Sequence, residues 1–213
     1  MTCLHCPVGS SHCYVGLQML DGSCAVRAVN VSTGVLSPTL HLTKPLYDES
    51  NQLQMNLAQV DSITCMETHP IHDQYLLVGY KSGDVALFNV LQHFVQKSAL
   101  VFRLTSALGT VSVTSVSWHP KGAFFMVAST CGRLVIFNLD QSREASLNSN
   151  TSTIYVQPDI ALTLFNEQVV IKSIHCLNQS AYVSVERISR SGSSDSTSQE
   201  QQQQQQQQEE QEN

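Results

Sequence analysis

The 213 residues are 42% apolar and 13% charged, with seven cysteines and a formal net charge of −6, which supplies enough apolar material for one domain with a sizeable core. Eleven Lys and Arg residues are scattered along an acidic chain, which speaks against nucleic-acid binding, where basic residues gather on one face and displace counterions. The longest apolar runs are of strand length, short of the roughly 20 residues a bilayer-crossing helix needs, and no basic segment followed by an apolar one opens the chain, so neither a membrane span nor a secretory signal is expected. A cytoplasmic location and seven reduced thiols follow from that reading.

In chain order, Cys3, His5, Cys6, His12 and Cys13 come first. The two-residue spacing of Cys3 and Cys6 would let two thiolates share a tetrahedral zinc ion, but the cluster is crammed into a few residues and lacks a second ligand pair set apart by an ordered loop. The other reading is a first strand and turn whose cysteines act as small apolar residues. Tyr14 to Leu20, the turn Asp21-Gly22, and Cys24 to Gly34 read as two strands of one small sheet. His41 to Leu46 reads as an outer strand ending at Pro45, tolerated at an edge because it withholds one ladder donor. Asp48 to Asn56 reads as a polar loop.

The stretch from Ser62 to Val90 returns about fifty residues later, over Val113 to Leu139. His69-Pro70 aligns with His119-Pro120, Gly83 with Gly132, and Phe88-Asn89 with Phe137-Asn138, with a single-residue gap after the prolines. Such self-similarity excludes most single-copy folds. In the first copy, strands are expected at Ile63–Met66, Tyr75–Gly79 and Val85–Val90, separated by turns at His69–Gln74 and Lys81–Asp84. Leu76, Leu77 and Val78 run without interruption, as do Leu134 to Phe137, so both faces of each sheet must be covered. His69 and His119 recur in equivalent turns, which assigns them a shared structural part. Trp118, the single tryptophan, is expected in the core.

Ala99 to Leu104 fits an outer strand after the first copy, and Thr153 to Val156 one after the second, following a polar loop from Asp140 to Ser152. Asp159 to Phe165 is ambiguous. Val169 to Leu177 and Ala181 to Glu186 make a hairpin around Asn178-Gln179. From Arg187 the composition turns to Ser, Gln and Glu, including eight consecutive glutamines, which cannot bury enough apolar area to offset its ordering entropy and is expected to be disordered. Ser191, Ser193 and Ser194, beside arginines and an aspartate, are candidates for phosphorylation.

The repeat length, the three-strand pattern and the Phe-Asn endings resemble the WD40-repeat β-propeller family, in which a Trp-Asp pair most often ends the third strand. The copies depart from the family pattern: no Gly-His pair precedes them, and Ser82 and Cys131 stand where an Asp is common. The resemblance implies an all-β fold of about four blades, over roughly 1–47, 61–104, 111–157 and 168–186, of which two are complete and two partial, with a tail at 187–213. A two-sheet sandwich with duplicated hairpins is the structural alternative. Four blades are few for a closed ring, so three readings follow: a portion or short form of a larger propeller, which is favoured, an arc completed by a second copy or another chain, and an unusually small closed ring.

No nucleophile elbow, phosphate-cradling glycine loop or paired-histidine metal motif occurs in the sequence, so neither an enzyme nor a cofactor is expected. The resemblance implies a protein–protein scaffold in a multi-protein assembly. Its contacts would lie on the turns at one rim, which selects Tyr80, Lys81 and Asp84 in one blade and Thr130 and Arg133 in the next.

Overall fold

The computed structural model describes residues 2–44, 61–90, 99–104, 111–140, 154–156, 159–163, 169–178 and 180–187. The polar loop after Pro45, the connector before Ala99, the loop up to Ser152, the tail from residue 188 and the serines Ser191, Ser193 and Ser194 lie outside them. Every regular element among the described residues is a strand. The first sheet runs β1 (Cys3–His5), β2 (His12–Gln18), β3 (Cys24–Asn30), β4 (Leu36–Thr43), antiparallel throughout. The second runs β5 (Ile63–Thr68), β6 (Tyr75–Tyr80), β7 (Asp84–Asn89), β8 (Ala99–Arg103).

The third sheet begins the same way with β9 (Val113–Trp118), β10 (Phe124–Ser129) and β11 (Arg133–Asn138). Its outer strand differs from expectation. The segment expected to close it, β12 (Ile154–Val156), instead pairs parallel with β8 at the outer edge of the second sheet. The closing strand is β13 (Ile160–Thr163), from the ambiguous interval, antiparallel to β11 with Leu134 opposite Leu162 and Ile136 opposite Ile160. A fourth sheet consists of the hairpin β14 (Val169–Cys176) and β15 (Ala181–Arg187). The first outer strand is also displaced, lying at Leu36–Thr43 with a register shift opposite Arg27 to Val29. Pro38 falls in that irregular stretch, at the sheet edge where a missing donor costs least.

Alternation along each strand explains the uninterrupted apolar runs. Leu76, Val78, Tyr80, Ala86 and Phe88 pack toward the first sheet, against Tyr14, Val26, Leu40 and Leu42. Their neighbours Tyr75, Leu77, Val85 and Leu87 pack the other way, against Val116, Trp118, Phe125, Val135 and Phe137 of the third sheet. Strands β6 and β7 are therefore apolar at consecutive positions because each serves two cores. The third and fourth sheets share a smaller core around Ala128, Leu134, Ile171 and Ile174.

Successive sheets are also stitched at their first strands by side chains that bond the next sheet's backbone. The Thr68 N–H donates to Nε2 of His5 at 3.1 Å, and the Trp118 N–H donates to Oε2 of Glu67 at 3.1 Å. The Ile174 and Cys176 N–H groups donate to the hydroxyls of Ser115 and Ser117, at 3.2 and 3.1 Å. The same relationship recurs with three different side-chain chemistries. Burial holds Glu67 protonated further up the pH scale than a free carboxyl, with its pKa pushed up to about 7.

Candidate functional site

One end of the sheet stack gathers the turns selected from the sequence. The β6–β7 turn, residues 81–83, and the β10–β11 turn, residues 130–132, each contain a glycine with positive φ, Gly83 at 90° and Gly132 at 71°. A side chain at Gly83 would run into the Val111 carbonyl of the next sheet, so this turn needs glycine for closeness as well as for φ. Ser112 ties the two turns together. Its hydroxyl donates to the Lys81 carbonyl at 2.7 Å, and its N–H donates to the Thr130 hydroxyl at 3.2 Å. The Thr130 N–H in turn donates to the Ser112 carbonyl at 3.0 Å.

Beneath the first turn lies a buried ionic cluster. Nζ of Lys44, which follows β4, sits 2.6 Å from Oδ2 of Asp61 and 2.7 Å from Oδ2 of Asp84, and donates to the Ser82 hydroxyl at 2.6 Å. The second oxygen of Asp61 accepts the N–H groups of Ser62 at 2.7 Å and Ser82 at 3.2 Å. Lys44 also lies over the Tyr80 ring, 5.2 Å from its centroid. Charges taken this far from water persist because each is paired and hydrogen-bonded. Burial, with Cys24, Asp61 and Asp84 nearby, pushes the Tyr80 phenol well above its ordinary range.

This geometry corrects part of the expected contact surface. Tyr80 and Asp84 are only 1% and 3% exposed, so they face inward and hold the first sheet to the second. Tyr80 is the last residue of β6 and alternation sends it to the core with Leu76 and Val78. Asp84 turns inward because a cation from the preceding sheet meets it there. Lys81 is exposed, while Thr130 and Arg133 are half-buried. The rim therefore presents Lys81, Thr130 and Arg133 on a base made rigid by Ser112, Lys44, Asp61 and Ser82. Sequence reasoning passed over Asp61, although the copies hinted at it: a carboxylate precedes β5 where Val111 precedes β9. Lys44 carried no such hint.

The opposite end holds the repeated histidines. His69 accepts the N–H groups of Ile71 and His72 at Nδ1, at 3.1 and 3.0 Å, while Nε2 lies 3.1 Å from the Gly122 carbonyl of the next sheet. His119 repeats this, accepting the Lys121 N–H at Nδ1 and placing Nε2 3.3 Å from the Asn178 carbonyl. An Nδ1 that accepts and an Nε2 that meets a carbonyl define the neutral tautomer with the proton on Nε2. Both histidines clasp neighbouring sheets, as the shared structural part expected of them. Trp118 is buried and edge-on to His69 at 4.5 Å and to Phe125 at 4.9 Å.

At the amino-terminal end the cysteine reading changes. Cys6 and Cys13 form a disulfide, with Cα atoms 4.4 Å apart. The β1–β2 register explains the pairing, because His5 stands opposite Tyr14 and the next pair outward is Cys6 with Cys13. The expectation of seven reduced thiols is thus corrected to five free cysteines. The zinc reading falls as well. Cys6 is committed to sulfur, His5 to Thr68, and no cluster of three His, Cys, Asp or Glu among the described residues is placed to hold a metal ion. Burial raises the thiols of Cys24 and Cys176 to about 11 and Cys65 to about 12, which leaves them as poor nucleophiles.

No helix among the described residues is long and apolar enough to cross a membrane. No protein-family model matches the chain, and no curated protein matches it. Among solved structures the fold is similar to that of a chain in the humanized mutant of the Chaetomium thermophilum Polycomb Repressive Complex 2 bound to the inhibitor GSK343. The TM-score is 0.56 at 9% identity, covering 85% of this chain and 35% of that chain. The present chain thus spans about a third of the length of the one it matches. At that identity the likeness speaks for the fold alone.

Proposed function

We propose that the chain is a non-enzymatic protein-interaction scaffold whose four sheets are blades of a WD40-like β-propeller, and that it contacts other proteins through the rim carrying Lys81, Thr130 and Arg133. The observation that carries this reading is the pairing of a polar rim, exposed at Lys81, with a fixed base. Exposed and half-buried polar side chains stand on turns locked by Ser112 and by the buried Lys44–Asp61–Asp84 cluster. Loops held by a rigid scaffold are where binding residues concentrate. Likeness to a chain from a multi-subunit complex supports the scaffold class at the level of fold analogy.

A photo-crosslinking residue placed at Lys81 in the full chain tests this. It should capture discrete protein adducts that the same residue at Thr33, on the exposed β3–β4 turn, does not. Arg133→Glu in the chain that carries the crosslinking residue at position 81 should reduce those adducts while shifting the thermal midpoint little. Equal capture from both positions would overturn the rim assignment.

A second reading is that the chain is a portion of a longer propeller and has no activity by itself. It is favoured by the coverage of 35% of the matched chain and by a fourth sheet with only two strands among the described residues. The solution mass and circular dichroism of the full chain separate the two. A folded monomer supports the scaffold, whereas a chain without cooperative structure supports the portion.

A further inference from the structure

In the three other sheets a third strand lies antiparallel to the second and sends alternate side chains onto a neighbouring sheet: Val26 and Ala28 of β3, Ala86 and Phe88 of β7, Val135 and Phe137 of β11. The fourth sheet has none among the described residues, and no described residue pairs with the outer side of β15. The face that such a strand would cover is correspondingly bare. Leu40 and Leu42, on the outer strand of the first sheet, are 6% and 2% exposed because Ala86 and Phe88 of the second sheet share their core. Ile160 and Leu162, on the outer strand of the third sheet, are 49% and 41% exposed. Their pairing with Ile136 and Leu134 puts them on the face that meets the fourth sheet, since Leu134 packs with Ile171 and Ile174. Ile136 beside them is only half-buried.

We infer that the outer side of β15 and the shelf formed by Ile136, Ile160 and Leu162 take up an extended segment of another polypeptide, antiparallel to β15, with an aliphatic and an aromatic residue at alternate positions. The main chain of that segment would complete the hydrogen-bond ladder of β15, and its alternate side chains would cover the shelf, as in strand addition at a sheet edge. The chemistry of the segment follows from continuity with the packing already present. Each existing third strand carries a small or β-branched residue and, in two of three cases, a phenylalanine two positions on. Residues 188–213 have Ile188 and otherwise no apolar side chain, so they do not carry that alternation. Lys81 lies on another sheet, whereas Arg133 begins β11 itself and stands opposite Thr163, next to Leu162. The inference does not depend on the rim reading, and Lys81 is the rim residue that can be changed without touching the shelf.

The test uses the full chain and a fluorescently labelled peptide with the sequence of residues 132–139, solubilised by flanking lysines, with a scrambled peptide as control. Fluorescence anisotropy should show saturable binding at one peptide per chain, and none for the scramble. Ile160→Glu with Leu162→Glu should weaken it at least about tenfold, as should the gentler Ile160→Ser with Leu162→Ser, both with the circular dichroism of the parent. Lys81→Glu alone should leave peptide affinity unchanged, which separates this inference from the rim. Three results would overturn it: no saturable binding by a folded chain, equal binding by the shelf variants, or a dimer that the shelf variants convert to monomer, since a second copy would then be the occupant.

Discussion

Nε2 of His69 meets the carbonyl oxygen of Gly122 at 3.1 Å, and the His69 ring occupies the space a β-carbon on Gly122 would fill. One imidazole thus organises its own turn through Nδ1 and fixes the next sheet's turn through Nε2. Gly122 must be glycine twice over, for its φ of 72° and for the ring beside it. Gly34 has a similar φ of 69° with open space around it.

The comparison of those two glycines isolates the contact. Gly34→Ala should cost about 1 kcal/mol, the strain of positive φ alone. Gly122→Ala should cost about 2–4 kcal/mol because the His69 ring must also move. Denaturant unfolding of the two variants measures the difference, and equal costs would contradict the packing described.

Glu67 sets the sign of one pH dependence. Its folded pKa of about 7 exceeds the ordinary value near 4.5, so the folded chain binds the extra proton in that window. Its contribution to stability is full below about pH 4.5 and is lost as the pH rises through about 7. Glu67→Gln keeps an oxygen for the Trp118 N–H and removes the charge. The variant should gain stability relative to the parent between those limits, by about 1–2 kcal/mol at pH 8. His5 acts in the opposite sense, since burial lowers its pKa below 6.5 and its contribution is lost as the pH falls through that lowered value. The difference between parent and Glu67→Gln chains cancels the His5 contribution.

The ionic cluster should respond asymmetrically to substitution. Lys44→Met strands two buried carboxylates beside each other and should cost about 3–5 kcal/mol. Adding Asp61→Asn and Asp84→Asn to Lys44→Met removes the stranded charges and should recover part of that loss. A triple variant less stable than Lys44→Met would mean that the carboxylates act through their backbone bonds at Ser62 and Ser82 more than through Lys44.

Thiol counting checks the amino-terminal hairpin. Alkylation of the unfolded, unreduced chain should modify five cysteines, and all seven only after reduction. In the folded chain Cys65 should react slowest, because burial raises its thiol to about 12.

The sequence disclosed the repeat, the inner three strands of the central sheets and their two-sided burial, since period-two patterning and glycine turns are local signals. It was silent where a partner comes from far away in the chain. Tyr80 and Asp84 read as surface turn residues because nothing near them announces Lys44, which arrives from another sheet. The disulfide was missed because an odd cysteine count says nothing about hairpin register, whereas His5 opposite Tyr14 decides it. Outer strands were placed least well: β13 was ambiguous and β12 was assigned to the wrong sheet, because an edge strand needs little apolar patterning and its pairing is chosen by what the neighbouring sheet leaves uncovered.

The stitching from His5 to Thr68, Glu67 to Trp118 and Ser117 to Cys176 joins each sheet to its immediate successor. Among the described residues cohesion is therefore a sequence of nearest-neighbour couplings. The second and third sheets, supported on both sides, should be the last to exchange their amide protons. The hairpin β14–β15, with two strands against the four of the first sheet and likewise a single neighbour, should open first and leave the other junctions intact.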